Sequence, residues 1–253
     1  MSAALFVSIL AVTAVVTSFI SGILGMAGGM ILMGVLLAMM PVPAAMMLHG
    51  VTQLASNLMR ALLWRTLVDW RVFRGYALGA LLSLAVFSIL QFVVSKPYAL
   101  IAMGITPFVA LALPESLHLN VERRGHAFAC GIICSALSLT SGVSGPILDV
   151  FFVRSKMTRQ RVVASKAMTQ SFSHLLKIAY FGAIVATGRG TVDPWLGAMM
   201  VGLAFLGTNL SRRVLDRMND VSFRFWTRWT VVVLGVYYVG DGVWLMFRQG
   251  NSA

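Results

Sequence analysis

Along the chain, apolar runs of roughly 20 residues alternate with short connections in which most of the basic residues lie, and that length is what an α-helix needs to cross about 30 Å of hydrocarbon. A membrane β-barrel would instead alternate apolar and polar positions over strands of roughly 10 residues, and no segment does so. Six runs read as spans, over residues 44–64, 75–94, 97–113, 162–186, 195–210 and 225–247. Two further runs are interrupted by glycine, one at 21–29 and one at 140–146. Clustered glycine breaks or kinks a helix, and the freed backbone groups must then find partners inside protein. The apolar pieces after the breaks, 30–40 and 147–153, are too short to cross alone. Pro146 suits the first position of a new helix, where its missing N–H costs nothing.

The two interruptions belong to a repeat. At an offset of 117 residues, Gly25 and Gly28 fall on Gly142 and Gly145. In the same ungapped frame Thr52, Gln53 and Ser56 fall on Thr169, Gln170 and Ser173. His49 meets Lys166, Asn57 meets His174 and Arg60 meets Lys177. Polar residues are rare in membrane helices, so their coincidence carries more weight than apolar matches. The chain therefore divides into two related halves, 1–124 and 125–253, each a broken hairpin (about 3–40 and 126–153) followed by three spans.

Composition agrees with the pattern: 58% of the 253 residues are hydrophobic and 11% charged, against about 25% charged in a soluble domain. The formal charge of +12 would suggest nucleic acid in a soluble protein. Here the basic residues sit in the loops, as the positive-inside rule requires, and nucleic-acid binding is set aside. The same rule separates two topologies. If the broken segments are re-entrant, the halves are inverted; fourteen loop cations lie inside and three, Lys96, Arg189 and Arg248, lie outside. If instead both broken segments cross, giving eight full spans, the split is 10 to 7. The expected fold is all-α and polytopic, two inverted repeats with both termini outside. No Lys or Arg precedes the first apolar run, so that run is expected to stay as a membrane element, not a cleaved signal. Cys130 and Cys134, four apart, read as buried free thiols.

Candidate chemistry lies on the helix after each break. His49, Thr52, Gln53, Ser56, Asn57 and Arg60 share one helical face, and Lys166, Thr169, Gln170, Ser173, His174 and Lys177 repeat it. Ionisable residues at membrane depth face the bundle interior and mark binding sites or relays. The plainer readings are polar contacts between helices and snorkelling of Arg60 or Lys166 to an interface. Lys177, well inside its span, resists them most. Only Asp149 and Asp241 lie well within apolar segments to oppose Arg60, Lys166 and Lys177, a balance that favours an anionic guest; an Asp149–lysine ion pair is the competing use of that acid. Helices starting after Gly28–Gly29 and after Gly145–Pro146 would aim free N–H groups and positive dipole ends into the membrane, and Ser141 and Ser144 add hydroxyl donors. Discontinuous helices at matching positions of two halves point to a midplane transport site. His49, His174 and Asp149 are candidates for proton coupling.

Gly22, Gly25, Gly28 and Gly29, followed by an apolar stretch and Pro41, resemble the opening repeat of the sulfite exporter TauE/SafE family. Thr140, Ser141, Gly142, Ser144, Gly145 and Pro146 resemble its second repeat, and the likeness covers nearly the whole chain. The resemblance implies transport of sulfite, sulfonates or related small anions across the bacterial inner membrane. Read with the residues, it makes the expected function secondary transport of a small anion, with Arg60 and Lys177 as charge partners. Thr52, Thr169, Gln53 and Gln170 would orient the anion. No Walker loop is present, so ATP is not the direct energy source, and a proton or sodium gradient is expected. No cofactor or metal motif is found, and the partners are the anion and the lipid bilayer, with oligomeric state left open. The other classes are an anion channel and an intramembrane enzyme; the histidines and serines match no catalytic spacing.

Overall fold

The computed structural model describes residues 2–24, 26–188, 191–215 and 220–250. Gly25 and Arg189, named above, lie outside the described residues, as does Arg217, one of the fourteen inside cations; for three more of those, Arg212, Arg213 and Arg224, only the backbone is described. The described residues form ten α-helices: α1 (Ala3–Leu24), α2 (Met26–Met39), α3 (Val42–Leu63), α4 (Trp70–Leu90), α5 (Lys96–Ala112), α6 (His126–Thr140), α7 (Gly145–Phe152), α8 (Arg159–Ala186), α9 (Pro194–Leu215) and α10 (Asp220–Gly250). Helices stand at all six expected spans and at both short pieces. α2, however, begins at Met26 and carries Gly28 and Gly29 in its first turn instead of starting after them, since Gly28 is used for close packing on α1 and not for a break; α7 likewise begins at Gly145, with Pro146 inside its first turn.

By length and hydropathy alone, three stretches among the described residues qualify to cross a membrane: Ala3–Ile23, Trp70–Leu90 and Phe225–Gly250. Helices α3 and α8 carry the polar stripes, which lower their hydropathy and which the fold buries against each other. α4 starts at residue 70, not 75, because Asp69 caps it, accepting hydrogen bonds from the Arg71 and Val72 amides.

Both breaks turn the chain back. Val121, just before α6, donates to the carbonyl of Phe151 at the end of α7, so the α6–α7 hairpin closes on the end where it began. With eight residues, α7 spans only about 12 Å. In the first hairpin, Gly28 packs on the backbone of Thr17 and Ser21, with no room for a side chain. Gly142 takes φ +81°, a conformation that glycine adopts without strain.

The helices pair across the halves in an exchange pattern. α3 packs on α8 and α5 on α10, while α1 packs on α9 and α4 on α6. α3 and α8 run antiparallel: Gly50 meets Lys177 and Ile178, whereas Asp69, past the far end of α3, bonds to Arg161 and Ser165 at the start of α8. α5 and α10 are also antiparallel, since Gly104 meets Gly235 and Gly242 meets Pro97. α1/α9 and α4/α6 are parallel, with Gly207 beside Val15 and Gly22 beside Ser211 in one pair, Gly75 beside Ala127 and Gly79 beside Ile132 in the other.

One end of the bundle gathers the basic loops. The Arg161 guanidinium lies 2.8 Å from Asp69, Asn120 donates to the Arg154 carbonyl, and the Lys156 amide donates to Glu122. The connections α3–α4, α5–α6 and α7–α8 thus share one end. Burial opposes the charge of Asp69, but the Val72 and Arg71 amides and the Arg161 guanidinium outweigh it and hold the carboxyl below the usual carboxylate range. Its stabilising contribution is therefore in place above that range and is lost as pH falls through the lowered value.

The α4–α6 contact supplies a test of close packing. A Cβ at Gly79 would overlap the Phe128 carbonyl, whereas one at Gly182 meets nothing within 4 Å. Gly79→Ala should cost about 1–3 kcal/mol by overpacking, and Gly182→Ala should gain up to roughly 1 kcal/mol in helix propensity. Thermal unfolding in detergent should show the two variants shifting in opposite directions.

Candidate anion site at the two helix breaks

The two breaks meet. A Cβ on Gly145, the first residue of α7, would press on Met26, the first residue of α2; one on Gly142 would press on Met33. The N-termini of α2 and α7 therefore begin at one shared contact, bringing two positive helix ends together.

Beside them lies a chain of buried hydrogen bonds. The His49 Nε2 donates to the Gly29 carbonyl at 3.0 Å. Lys177 Nζ lies 2.7 Å from His49 Nδ1 and donates to the Gly142 carbonyl at 2.9 Å. With Nε2 as donor, His49 Nδ1 accepts from the lysine, which fixes the tautomer. An ammonium has three N–H groups, so one is left after these two bonds. Lys177 is completely buried and has no acidic partner among the described residues. Gly50 allows the crossing, since its missing side chain admits Ile178 and the Lys177 stem.

The other predicted residues separate into three groups. Close to this chain stand His174, whose ring meets His49 edge-on at 5.6 Å and whose buried Nδ1 has no partner, and Gln53, whose amide faces Gly29. Ser144, buried beside Gly145, offers no side-chain cap to α7. Further along the same face, Arg60 is half-buried and donates to Asn57 Oδ1 at 2.8 Å, while Asn57 donates to the Gln53 carbonyl. Gln170 is half-buried.

The third group is committed elsewhere. Lys166 pairs with Asp149, the ion pair set against the anion reading above, which leaves Lys177 and Arg60 as the stripe cations without an acidic partner among the described residues. Thr52 and Thr169 donate to their own helices, at Leu48 and Lys166 carbonyls. Ser141 donates its proton to backbone carbonyls as well. Gly28 serves packing of α2 on α1.

Residues that the repeat did not single out complete the arrangement. Ser56 bonds to Thr208 of α9 at 2.9 Å, and its counterpart Ser173 bonds to Tyr76 of α4 at 2.6 Å and to Ser135 of α6 at 3.4 Å. Each repeated serine thus ties its helix to a partner in the other half. Tyr76 and Thr208 do not match each other at the 117-residue offset, so only the polar pairing itself would have revealed them.

The hydrogen-bond chain predicts unequal histidines. His49→Leu strips the buried Lys177 ammonium of an acceptor, a lost partner costing about 1–3 kcal/mol, and removes the second bond to the Gly29 carbonyl. His174→Leu breaks no bond at Nδ1. Melting in detergent should therefore fall further for His49→Leu than for His174→Leu.

No individual curated protein and no solved structure matches the chain. The profile of the sulfite exporter TauE/SafE family matches residues 10–238. With nearly the whole chain covered, and helices that build a multi-pass membrane bundle around two broken segments, this protein belongs to the sulfite exporter TauE/SafE family, whose members are membrane transporters of sulfite or related anions.

Proposed function

We propose that the protein is a secondary transporter that carries a sulfur-containing or carboxylate anion, such as sulfite or an organosulfonate, across the bacterial inner membrane. The anion binds where the N-termini of α2 and α7 meet. The single observation that carries this reading is Lys177: a fully buried cation, without a carboxylate partner among the described residues, that bonds to one helix break directly and is linked to the first turn of α2 through His49. Its third N–H, the unpartnered Nδ1 of His174 and the Gln53 amide are the groups nearest to an incoming anion. Arg60, with Asn57 and Gln170, forms a second polar step along the paired stripes. His49 and His174 stand next to Lys177 and are the candidates for coupling to protons. Asp149, held by Lys166, is a weaker one.

The anion site has a direct measurement. In proteoliposomes, flux of labelled sulfite or sulfonate should fall at least tenfold in Lys177→Met combined with Arg60→Ala, and should persist in Lys166→Ala. Unchanged flux in the double variant would overturn the assignment. A thermal-shift panel of sulfite, thiosulfate, isethionate, sulfoacetate and carboxylates ranks the substrates.

We further infer that residues 1–124 and 125–253 are inverted repeats with the basic end of the bundle inside. The antiparallel runs of α3 with α8 and of α5 with α10 support this, because corresponding helices of inverted halves must point in opposite directions. Cysteines at Arg71 and Arg159 should react with impermeant reagents from the cytoplasmic side, and one at Ser95 from the other. Arg71 and Arg159 reacting from opposite sides would refute it.

A further inference from the structure

Away from the basic end, a cleft of about 550 Å³ opens between the last turns of α4 and α8. The described lining includes Leu84, Ser88 and Gln91 from α4, and Tyr180, Ile184 and Thr187 from α8. It has no acidic residue in that lining. Its volume is many times the roughly 30 Å³ that a water molecule occupies in the liquid. The neutral polar groups are set at its rim: Ser88, Gln91 and Thr187 lie in the last turn of their helices or just beyond it.

The α8 side of the cleft leads to the anion site. Thr187, Ile184, Tyr180 and Lys177 are spaced by three, four and three residues, which places them on one helical face. That face descends about 15 Å from the rim to the lysine. Between rim and lysine stands Tyr180, which is buried and packs edge-on against Phe87 and Phe181. Its hydroxyl, 2.8 Å from the Phe92 carbonyl and 3.3 Å from that of Phe87, reaches across from α8 to the end of α4. A single phenolic proton thus holds the two walls together above Lys177, which is itself sealed from solvent.

We propose that this cleft is the water-filled approach by which the anion reaches Lys177 from the α4–α5 side, and that Tyr180 is its gate. The proposal rests on the anion-site reading above and adds to it a route and a residue that controls entry. An anion meets neutral donors and no carboxylate along the lining. Entry to Lys177 requires the Tyr180 hydroxyl to leave the α4 carbonyls.

Thiol accessibility tests both parts in the full chain reconstituted in liposomes. The native thiols Cys130 and Cys134 are fully buried, so the unaltered protein is the silent control. The probe is an impermeant, sulfonate-bearing methanethiosulfonate. Ser88→Cys and Thr187→Cys should react at least tenfold faster than Val86→Cys, a position on α4 outside the cleft lining. Equal rates at the three positions would overturn the approach. Leu84→Cys should react more slowly than Ser88→Cys while Tyr180 is present, and at the same rate once Tyr180→Phe is added. Lys177→Cys should be silent with Tyr180 and labelled at least tenfold faster with Tyr180→Phe. If Lys177→Cys fails to fold, the Leu84 comparison decides alone. Rates indifferent to Tyr180→Phe would remove the tyrosine from the gate. Labelling requires no substrate, so the expected rates together with full flux in the Lys177 and Arg60 double variant would keep the approach and reject the anion site.

Discussion

Two broken helices inside a membrane protein leave backbone carbonyls and amides that lipid cannot satisfy. In this chain Lys177 meets that constraint at one break, where it donates to the Gly142 carbonyl, and through His49 it is linked to the Gly29 carbonyl in the first turn of α2, beside the other. For the lysine to reach both, α3 and α8 must cross closely, which Gly50 permits, and the two hairpin tips must abut, which they do at Met26 and Gly145. The central crossing, the two abutting helix breaks and the polar core are thus one problem with one solution.

Around that centre the fold repeats each contact in exchanged form. The serine pair Ser56 and Ser173 shows how: each reaches a hydroxyl on a helix of the other half, Thr208 or Tyr76. Such hydrogen bonds hold helices together where no hydrophobic driving force separates helix from lipid. The symmetry is not complete. Asp69 is clamped to Arg161 and Ser165 at the start of α8, whereas α3 begins with Val42, Pro43, Ala44 and Ala45 and has no basic residue with which to repeat that clamp.

The same economy of charge shapes the function. Of the three cations on the paired stripes, the fold neutralises Lys166 with Asp149 and leaves Lys177 and Arg60 without acids among the described residues. A buried cation whose neighbours are neutral is costly unless a guest completes it. In the proposed site, that cost is what an anionic guest would offset. In the proposed approach route, Tyr180 separates the cleft from the lysine, although the two lie on one helix face.

Much of this was legible in the sequence because membrane helices announce themselves by run length, and because polar residues within them are few enough for a repeat to stand out. The long helices, a short helix at each glycine cluster and the facing polar stripes follow from those two facts, whereas the start of α2 ahead of Gly28 and Gly29 does not. Partner choice was not legible. Periodicity puts Thr52, Thr169, Lys166 and Lys177 on equivalent faces, but it does not say that the threonines turn back on their own helices, that Lys166 finds Asp149, or that Lys177 bridges two breaks 113 residues apart, at Gly29 and Gly142. Tyr76, Thr208 and Tyr180 look like ordinary polar residues of apolar runs. Their roles arise from contacts between helices distant in sequence, and such contacts exist only once the bundle has packed. The sequence by itself determined the helices and which of their faces are polar; tertiary packing alone decided which polar group meets which, because a hydrogen bond depends on distances of a few tenths of an ångström that no linear pattern encodes.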